Sequence, residues 1–356
     1  MTLTSIRLAL GTNLYRKLCP ERFHKARTRE LTITLRTSTF CLLTLARPRN
    51  VRFGLYAEQM TASAFVAPRH VNKNAWLYRV RPAVAHRKSN PPGKKNTHLT
   101  EVAEGFTQLP DNPDTESCFL PLNPKIHVTP TQLAWLPFDI PPTGEITFVT
   151  GMKTIAGSGD PSLREGLATH IYTANQSMNA ESFVNSDGDF LIVPQKGSLD
   201  IQTEFGYLYI QPGEICIIPR GCRYTVKLPE GPSRGYILEI WGSNFQLPEL
   251  GPLGANGLAN SRDFLAPVAA YEVTTADWKI IYKLHGKLFS SSQQHSPYDI
   301  VAWHGNYYPY KYDMTKFVNV GSISVDHIDP SIFCVLTAPS RDPAAPLADF
   351  LTFQPR

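Results

Sequence analysis

Residues 188–228 decide the fold and read GDFLIVPQKGSLDIQTEFGYLYIQPGEICIIPRGCRYTVKL. Short apolar runs are separated here by turn signals that contain glycine or proline, such as Pro212-Gly213-Glu214. The apolar runs predict strands at 189–193, 199–205, 207–210, 215–218 and 224–228. Many short strands at this spacing, with almost no helical periodicity, are typical of an antiparallel sandwich or barrel. The fold class is therefore predicted to be mainly β.

The flanking sequence extends this pattern in both directions. Further strands are predicted at 146–149, 170–172, 236–241, 332–336 and 350–353. The thirty prolines and fifteen tyrosines fit a loop-rich β protein better than a helix bundle, because proline interrupts helices and aromatic rings pack well on pleated sheets. Residues 101–131 carry a weak pattern, and a long surface insertion is expected there.

The net charge of +5 is concentrated at the N-terminus. Residues 1–50 contain ten Lys or Arg and two Glu, a local balance of +8, and the rest of the chain holds 25 basic against 28 acidic residues. A body with that balance has no broad basic face, so nucleic acid is not an expected partner. No stretch approaches the roughly 20 apolar residues of a membrane-spanning helix, and no membrane partner is expected either.

Residues 1–50 are rich in Arg, Thr and Leu, and two interpretations stay open for them. The composition suits a mitochondrial transit peptide. It also suits a spurious 5′ extension produced by wrong exon boundaries. The six cysteines are scattered without a C-x-x-C pair, which predicts reduced thiols in an intracellular protein.

The segment 188–226 resembles the cupin double-stranded β-helix. In cupins the motif G-(x)5-P-x-G-(x)2-H carries a metal-binding histidine. Gly213, Pro219 and Gly221 stand at that spacing, but Tyr224 occupies the histidine position, no H-x-H pair precedes it, and Asp189 lies near the place of the usual glutamate. The glycines and the proline retain a structural purpose, because they set tight turns between strands. A cupin-like jelly-roll barrel is therefore predicted at about 145–242, as a scaffold without its own metal.

Several long strings of the sequence resemble homogentisate 1,2-dioxygenases, in order, from residue 53 to residue 356. They are 55–59 (LYAEQ), 72–73 (NK) with 76–79 (WLYR), 185–197 (NSDGDFLIVPQKG), 251–260 (GPLGANGLAN), 303–307 (WHGNY) and 326–333 (DHIDPSIF). The resemblance implies an N-terminal β domain at 51–300 that contains the barrel. It also implies the start of a second β domain, the incomplete catalytic domain, at 301–356.

The resemblance also implies a reaction. The family opens the ring of homogentisate with O₂ at a non-haem Fe(II), in the breakdown of tyrosine and phenylalanine, and the product is maleylacetoacetate. The histidine of the D-H-x-D-P-S-I-F motif, His327 here, is implied to be catalytic, because a neutral imidazole accepts a phenolic proton at neutral pH. Asp326 and Asp329 are candidates to orient it.

Two further candidate residues lie in the string 303–307. His304 lies in a dense aromatic neighbourhood, and we interpret it as a structural or supporting residue; Tyr307 is a supporting candidate beside it. The glycine run at 251–257 lacks the spacing of a phosphate-binding loop, so an ordered tight loop is expected. Asp187-Gly188-Asp189 is predicted to be a hairpin turn and not a calcium loop.

The family's iron ligands lie in an H-(x)5-E motif and a further histidine, downstream of the positions that this chain matches. No metal ligands are therefore identified, and a makeshift set of His304, His327 and Asp349 has no spacing rationale. The 356-residue chain is expected to be inactive as it stands, and strands 332–336 and 350–353 are expected to lack partners. An alternative function is a non-catalytic, cupin-like binding or assembly protein. A cupin metalloenzyme of another class is disfavoured by Tyr224.

The resemblance implies a homo-oligomer, a trimer or a hexamer built as a dimer of trimers. Cytoplasmic localisation is expected, and a mitochondrial one if residues 1–50 are a transit peptide.

Overall fold

The computed structural model describes residues 54–64, 66–83, 106–109, 118–123, 128–132, 134–249, 258–318, 321, 325, 330–342 and 345–353. Within them the chain is mainly β, as the sequence predicts. The strands, numbered in chain order, are β1 (Tyr56–Thr61), β2 (Asn74–Arg79), β3 (Thr107–Gln108), β4 (Met152–Asp160), β5 (Glu165–Ala174), β6 (Glu181–Asn185), β7 (Asp189–Lys196), β8 (Leu199–Thr203), β9 (Gly206–Ile210), β10 (Glu214–Ile218), β11 (Arg223–Lys227), β12 (Ser233–Trp241), β13 (Phe264–Leu265), β14 (Trp278–Leu284), β15 (Lys287–Gln293), β16 (Ile300–Gly305), β17 (Tyr310–Asp313), β18 (Cys334–Pro339) and β19 (Pro346–Leu351).

Two seven-stranded sheets form the body of the fold. Sheet I has the order β13-β17-β10-β7-β12-β5-β4, and sheet II has the order β3-β15-β14-β6-β11-β8-β9. The eight consecutive strands β5 to β12 are shared equally between the sheets, as β5, β12, β7 and β10 in sheet I and β6, β11, β8 and β9 in sheet II. This arrangement is a jelly-roll double-stranded β-helix, so the predicted cupin-like fold is confirmed.

The main core lies between the two sheets. Phe190 and Ile192 of β7 point into it, together with Ile237 of β12 from the same sheet and Ile201 of β8 from the opposite one. Leu191, between Phe190 and Ile192, joins a second apolar cluster on the outer face of sheet I. Because both faces of β7 are covered, its sequence is a continuous apolar run instead of an alternating one.

Aromatic side chains fill the interior of the jelly roll. The ring of Phe148 lies 4.8 Å from that of Tyr172 and 6.2 Å from that of Tyr224. The ring of Phe183 lies 5.6 Å from that of Tyr224 and 6.2 Å from that of Phe190. All five side chains are fully buried. The position that holds a metal-binding histidine in cupins is therefore part of a packed aromatic core.

The predicted strand at 146–149 is wrong, since this segment is a turn. The N–H of Gly151 donates to the carbonyl of Thr147 at 2.9 Å, and the N–H of Thr147 donates to Thr150 Oγ1 at 2.8 Å. Phe148 and Val149 are nevertheless buried in the main core. The apolar character of the segment reflects this insertion into the core, which a sequence pattern does not distinguish from a strand.

The expectation that the strands near 332–336 and 350–353 lack partners is also wrong. Strands β18 and β19 pair with each other in an antiparallel hairpin, and a 3₁₀ turn at Pro330–Phe333 precedes it. Phe333, Val335 and Leu336 are buried in the cluster on the outer face of sheet I. The hairpin therefore covers an apolar sheet face.

A smaller sheet of order β1-β2-β16 is attached to the body by Arg79 of β2. The buried guanidinium lies 3.1 Å from Glu58 Oε2, and its Nη2 donates to Glu204 Oε1 at 2.6 Å, while Nη1 lies 3.5 Å from Asp299 Oδ1. Glu204 follows β8, so these contacts connect the small sheet to sheet II.

The predicted domain boundary at residue 300 stays a prediction. Strand β16, directly after it, pairs with β2, and β17 pairs with β10 of sheet I. In the part of the chain that the structure describes, no helix has the length and apolarity needed to cross a membrane.

The Tyr224 hydroxyl gives a test of the aromatic core. It is buried, and no described residue lies within hydrogen-bonding distance of it, whereas the hydroxyl of Tyr172 lies 3.2 Å from Ser233 Oγ. We expect Tyr224→Phe to raise the free energy of unfolding by about 1 kcal/mol, because it removes an unsatisfied buried hydroxyl. The matched control Tyr172→Phe should lower it by about 1 kcal/mol. Urea unfolding measures both, and equal destabilisation by the two variants would contradict the assignment.

Candidate functional site

A buried group of charges lies between the two sheets, around Lys283 of β14. Lys283 Nζ donates to both carboxylate oxygens of Glu239 and to Asp187 Oδ2, each at 2.8 Å. Glu239 belongs to β12 of sheet I, whereas β14 belongs to sheet II. The side chains of Lys283 and Glu239 are fully buried, and that of Asp187 is 1% exposed. The ammonium therefore connects the two sheets through the core.

Asp187 lies in the segment between β6 and β7 and binds the turn between β14 and β15. Its carboxylate accepts the N–H groups of His285 at 2.6 Å and Gly286 at 2.9 Å, which form the turn between β14 and β15. The predicted hairpin at 187–189 is wrong, because β6 pairs with β11 and β14, whereas β7 pairs with β10 and β12 of the other sheet. The segment is a crossing between sheets, and the buried carboxylate of Asp187 holds it in place.

His170 of β5 extends the group on the side of Glu239. Its Nε2 lies 3.0 Å from Glu239 Oε2, and its Nδ1 lies 2.9 Å from Thr154 Oγ1. Burial lowers the pKa of His170 below its ordinary value, although Glu239 acts in the opposite direction. The neutral ring therefore donates from Nε2–H to Glu239 and accepts the Thr154 hydroxyl at Nδ1. Asn185 Nδ2 donates to the other oxygen of Glu239 at 2.6 Å.

The charges of this group stabilise one another. Burial alone would raise the pKa of Glu239, but the nearby ammonium of Lys283 and the hydrogen bond from His170 outweigh it and lower this pKa to about 2. Burial would likewise lower the pKa of Lys283, and the carboxylates of Asp187 and Glu239 raise it instead. The group is therefore a set of buried ion pairs with a neutral histidine at one end. The hydrogen bonds described for it join residues of this chain.

Tyr307, a predicted supporting residue, follows β16. Its side chain is buried next to Asp189, the first residue of β7. Its hydroxyl donates to Asp189 Oδ1 at 2.9 Å. The same carboxylate accepts the N–H of Arg220 at 2.8 Å and Asn244 Nδ2 at 2.7 Å. Burial raises the pKa of Asp189, and these hydrogen bonds partly offset that effect. Asp189, near the glutamate position of cupins, thus has its oxygens occupied by protein donors.

His304, the other described candidate, lies on the exposed face of β16. Its Nε2 is 3.2 Å from the hydroxyl of Tyr78, and the two rings stack with centroids 5.8 Å apart. Tyr307 contacts Asp189 and Arg220, so the structure does not bring the two candidates into one cluster. Their predicted supporting roles stay predictions.

The remaining predicted residues lie outside the described residues. They are His327, Asp326 and Asp329, together with the glycine loop at 251–257. Asp349 lies in β19 and is exposed, but the makeshift set that contains it also needs His327.

The described residues do not fit an Fe(II) centre. Over these ranges, no three His, Cys, Asp or Glu side chains are grouped so that they could hold a metal ion. Non-haem iron of the ring-cleaving type needs such a group, usually two histidines and one carboxylate. His170 and Glu239 lie 3.0 Å apart, but Glu239 is ion-paired with Lys283 at 2.8 Å.

Two central residues of the buried group, Lys283 and Glu239, were not predicted from the sequence. Lys283 and Glu239 each interrupt an apolar strand run, in IIYKL and ILEIW, and that interruption was the available signal. Both side chains point toward the main core. Residues two apart on a strand lie on the same face, and Ile281 and Ile237, two residues before them, belong to that core. Their pairing across 44 residues depends on the tertiary fold and leaves no local pattern.

These features define a mainly β protein with a cupin-like jelly roll whose interior contains packed aromatic rings and buried ion pairs. Comparison of the sequence with known protein families assigns it to one of them. The family model described as "Homogentisate 1,2-dioxygenase N-terminal" matches residues 44–115 and 107–314, and the model "Homogentisate 1,2-dioxygenase C-terminal" matches residues 315–356. The chain belongs to the homogentisate 1,2-dioxygenase family.

Individual relatives agree with this assignment. The homogentisate 1,2-dioxygenase of Dictyostelium discoideum is 52% identical over 87% of this chain and 66% of its own length. The Homo sapiens protein of the same name is 47% identical over 87% of this chain and 65% of its own length. The chain thus spans about two thirds of the length of the curated relatives it matches. Among solved structures, a cupin-2 domain containing protein from Shewanella frigidimarina is similar over 25% of this chain and 78% of its own, at 19% identity and a TM-score of 0.21.

Because His170 is neutral, we expect the free energy of unfolding to depend on pH. Because its pKa in the folded protein lies below the ordinary value of 6.5, the unfolded chain binds more protons, and stability is lost as the pH falls below about 6.5. One such proton contributes a slope of about 1.4 kcal/mol per pH unit. His170→Gln keeps an N–H donor for Glu239 and does not titrate, so we expect it to remove this slope between pH 6.5 and pH 5.

Urea unfolding at several pH values measures the slope. His70→Gln is the matched control, because His70 is exposed, and we expect it to leave the slope unchanged. The protonation assignment fails if His170→Gln and the unsubstituted chain lose stability in parallel on acidification.

Proposed function

We propose that this protein is the scaffold and part of the catalytic domain of a homogentisate 1,2-dioxygenase, an extradiol-type enzyme that opens the ring of homogentisate. In this reaction both atoms of O₂ enter the product, maleylacetoacetate. The observation that carries the proposal is 47–52% identity, over 87% of the chain, to relatives that bear this name. Homogentisate and O₂ are the proposed partners.

Fe(II) is the proposed cofactor, and the described residues do not supply its ligands. We propose that the ligands belong to the third of the enzyme that the relatives have beyond the match with this chain. When bound, such an iron supplies open positions for substrate and O₂. The residues of this chain then act on the substrate only by positioning it and by handling its proton.

His327 is the proposed acceptor of the phenolic proton of homogentisate. A neutral imidazole is suited to this task near neutral pH, and loss of the proton makes the ring a better electron donor. The 3₁₀ turn at Pro330–Phe333 is the C-terminal half of the His327 motif, and Phe333 is buried on the outer face of sheet I. The jelly roll thus anchors the C-terminal end of the segment that carries His327.

The alternative function is a non-catalytic binding or assembly protein built on the same shell. The filled interior of the jelly roll, packed with aromatic rings and the Lys283 ion pairs, is compatible with both functions. A homo-oligomer and a cytoplasmic location stay predictions under both functions.

A chimera separates the two functions. Residues 1–356 are joined to the part of the Dictyostelium discoideum relative that lies beyond its match to this chain. We expect the chimera to bind about one Fe(II) per chain after anaerobic loading and to convert homogentisate with O₂ uptake, whereas a polypeptide limited to residues 1–356 does neither. A chimera that folds, binds iron and has no activity favours the assembly function. Stoichiometric iron and turnover in the 356-residue polypeptide would contradict the assignment of the ligands.

The same chimera tests His327. We expect His327→Ala to retain its iron and to lose about 100-fold or more in kcat, the usual contribution of an acid–base residue. His70→Ala, at an exposed position remote from the motif in sequence, is the matched control and should keep full activity. Unchanged turnover in His327→Ala would remove the residue from the reaction.

A further inference from the structure

A small polar cavity of about 20 Å³ lies beside the crossing between β6 and β7. Five segments of the described chain line it: residue 62 after β1, Arg164 before β5, the crossing at 187–189, Arg220 between β10 and β11, and residues 242–244 after β12. A water molecule needs about 10–15 Å³ of such volume. The cavity therefore has the size for one very small ligand.

Two buried carboxylates belong to this lining, and donors of the same chain already engage both. The carboxylate of Asp189 accepts three hydrogen bonds from described residues. The carboxylate of Asp187 likewise accepts three, one of them from the ammonium of Lys283. The polar groups that remain to bind a ligand are therefore the other side chains of the lining.

These other side chains include both donors and acceptors. Asn244 uses its Nδ2 to donate to a carboxylate at 2.7 Å, so its Oδ1 is left as an acceptor. The hydroxyl of Ser243 donates to the carbonyl of Pro339 at 2.6 Å, and its oxygen keeps its lone pairs. The guanidinium groups of Arg164 and Arg220 have only N–H donors.

This combination selects a neutral ligand that donates and accepts hydrogen bonds. An anion in the cavity would lie against the carboxylates of Asp187 and Asp189. A cation would lie against the guanidinium groups of Arg164 and Arg220. Water carries no charge, and a buried water typically makes about three hydrogen bonds with polar groups of both kinds.

We propose that this cavity binds one ordered water molecule, which donates to Asn244 Oδ1 and Ser243 Oγ and accepts from a guanidinium of the lining. The water then connects the loop after β12 to the turns that carry the two arginines. Because residue 62 and the crossing also line the cavity, the site lies where the small sheet meets sheets I and II. It does not depend on the proposed function, since no lining residue has a part in that reaction.

A crystal structure of the 356-residue chain, at a resolution that shows ordered waters, tests the site directly. We expect a water within hydrogen-bonding distance of Asn244 Oδ1 and of a guanidinium nitrogen. A second crystal is soaked in bromide, and we expect no anomalous bromide peak in the cavity. A bromide peak there, or no ordered water in the cavity, would overturn the proposal.

Two substitutions of Ala62 test whether the water stabilises the fold. Ala62 is partly buried and lines the cavity. Valine and threonine have nearly the same shape, but threonine carries a hydroxyl in place of one methyl group. We expect Ala62→Val to displace the water and to raise the equilibrium constant of unfolding about fivefold or more, because buried polar groups lose a partner. Ala62→Thr should raise it less, since its hydroxyl replaces a hydrogen bond of the water.

The matched controls are Ala64→Val and Ala64→Thr, because Ala64 is exposed. We expect their equilibrium constants of unfolding, measured in urea, to differ from each other by less than about twofold. A dry cavity would be filled favourably by the valine of Ala62→Val, and the constant would fall. That decrease, or equal increases in Ala62→Val and Ala62→Thr, would contradict a stabilising water.

Discussion

The ion pairs of Lys283 are the interaction on which the rest of this structure depends. One ammonium, fully buried, contacts a carboxylate of sheet I and a carboxylate of the crossing between β6 and β7. A buried charge is unfavourable unless it is paired and hydrogen-bonded. Here every partner comes from a different segment of the jelly roll, so the charges are satisfied only when the two sheets face each other in the observed register.

This constraint explains why charged residues are retained in a core that is otherwise apolar. A shift of β14 by one residue would turn Lys283 toward the outer face of sheet II and leave Glu239 and Asp187 without their cation. Loss of one partner from a buried ion pair typically destabilises a protein by about 3–5 kcal/mol. An apolar core of the same volume tolerates such shifts more easily, and we attribute the defined pairing of the sheets to these charges.

The same network also bears on function. The interior of the jelly roll contains Tyr224, Phe183 and the ion pairs of Lys283, and the C-terminal hairpin packs on its outside. The C-terminal hairpin packs on the outer face of sheet I, directly after the 3₁₀ turn that ends the His327 motif. Under the proposed function, such a scaffold would carry a reaction centre whose ligands lie outside the described residues.

The sequence predicted those parts of the fold that are encoded locally. Strands β7 to β12 were predictable because Gly197, Gly213 and Gly221, all at positive φ, separate their apolar runs. The strand predicted at 146–149 was wrong, because a buried turn has the same apolar sequence pattern as a strand. The pairing of Lys283 with Glu239 was not predictable, since it joins residues of different sheets. His327 is known only from its motif.

The Lys283–Glu239 pair couples the two sheets, and a double-mutant cycle measures this coupling most directly. The free energy of unfolding is determined by urea denaturation for the unsubstituted chain, Lys283→Met, Glu239→Leu and the double variant. If the two side chains are coupled, the double variant should lose less unfolding free energy than the two single variants lose together. We expect this difference to be about 2 kcal/mol or more. Additivity of the two substitutions within about 0.5 kcal/mol would contradict the claim.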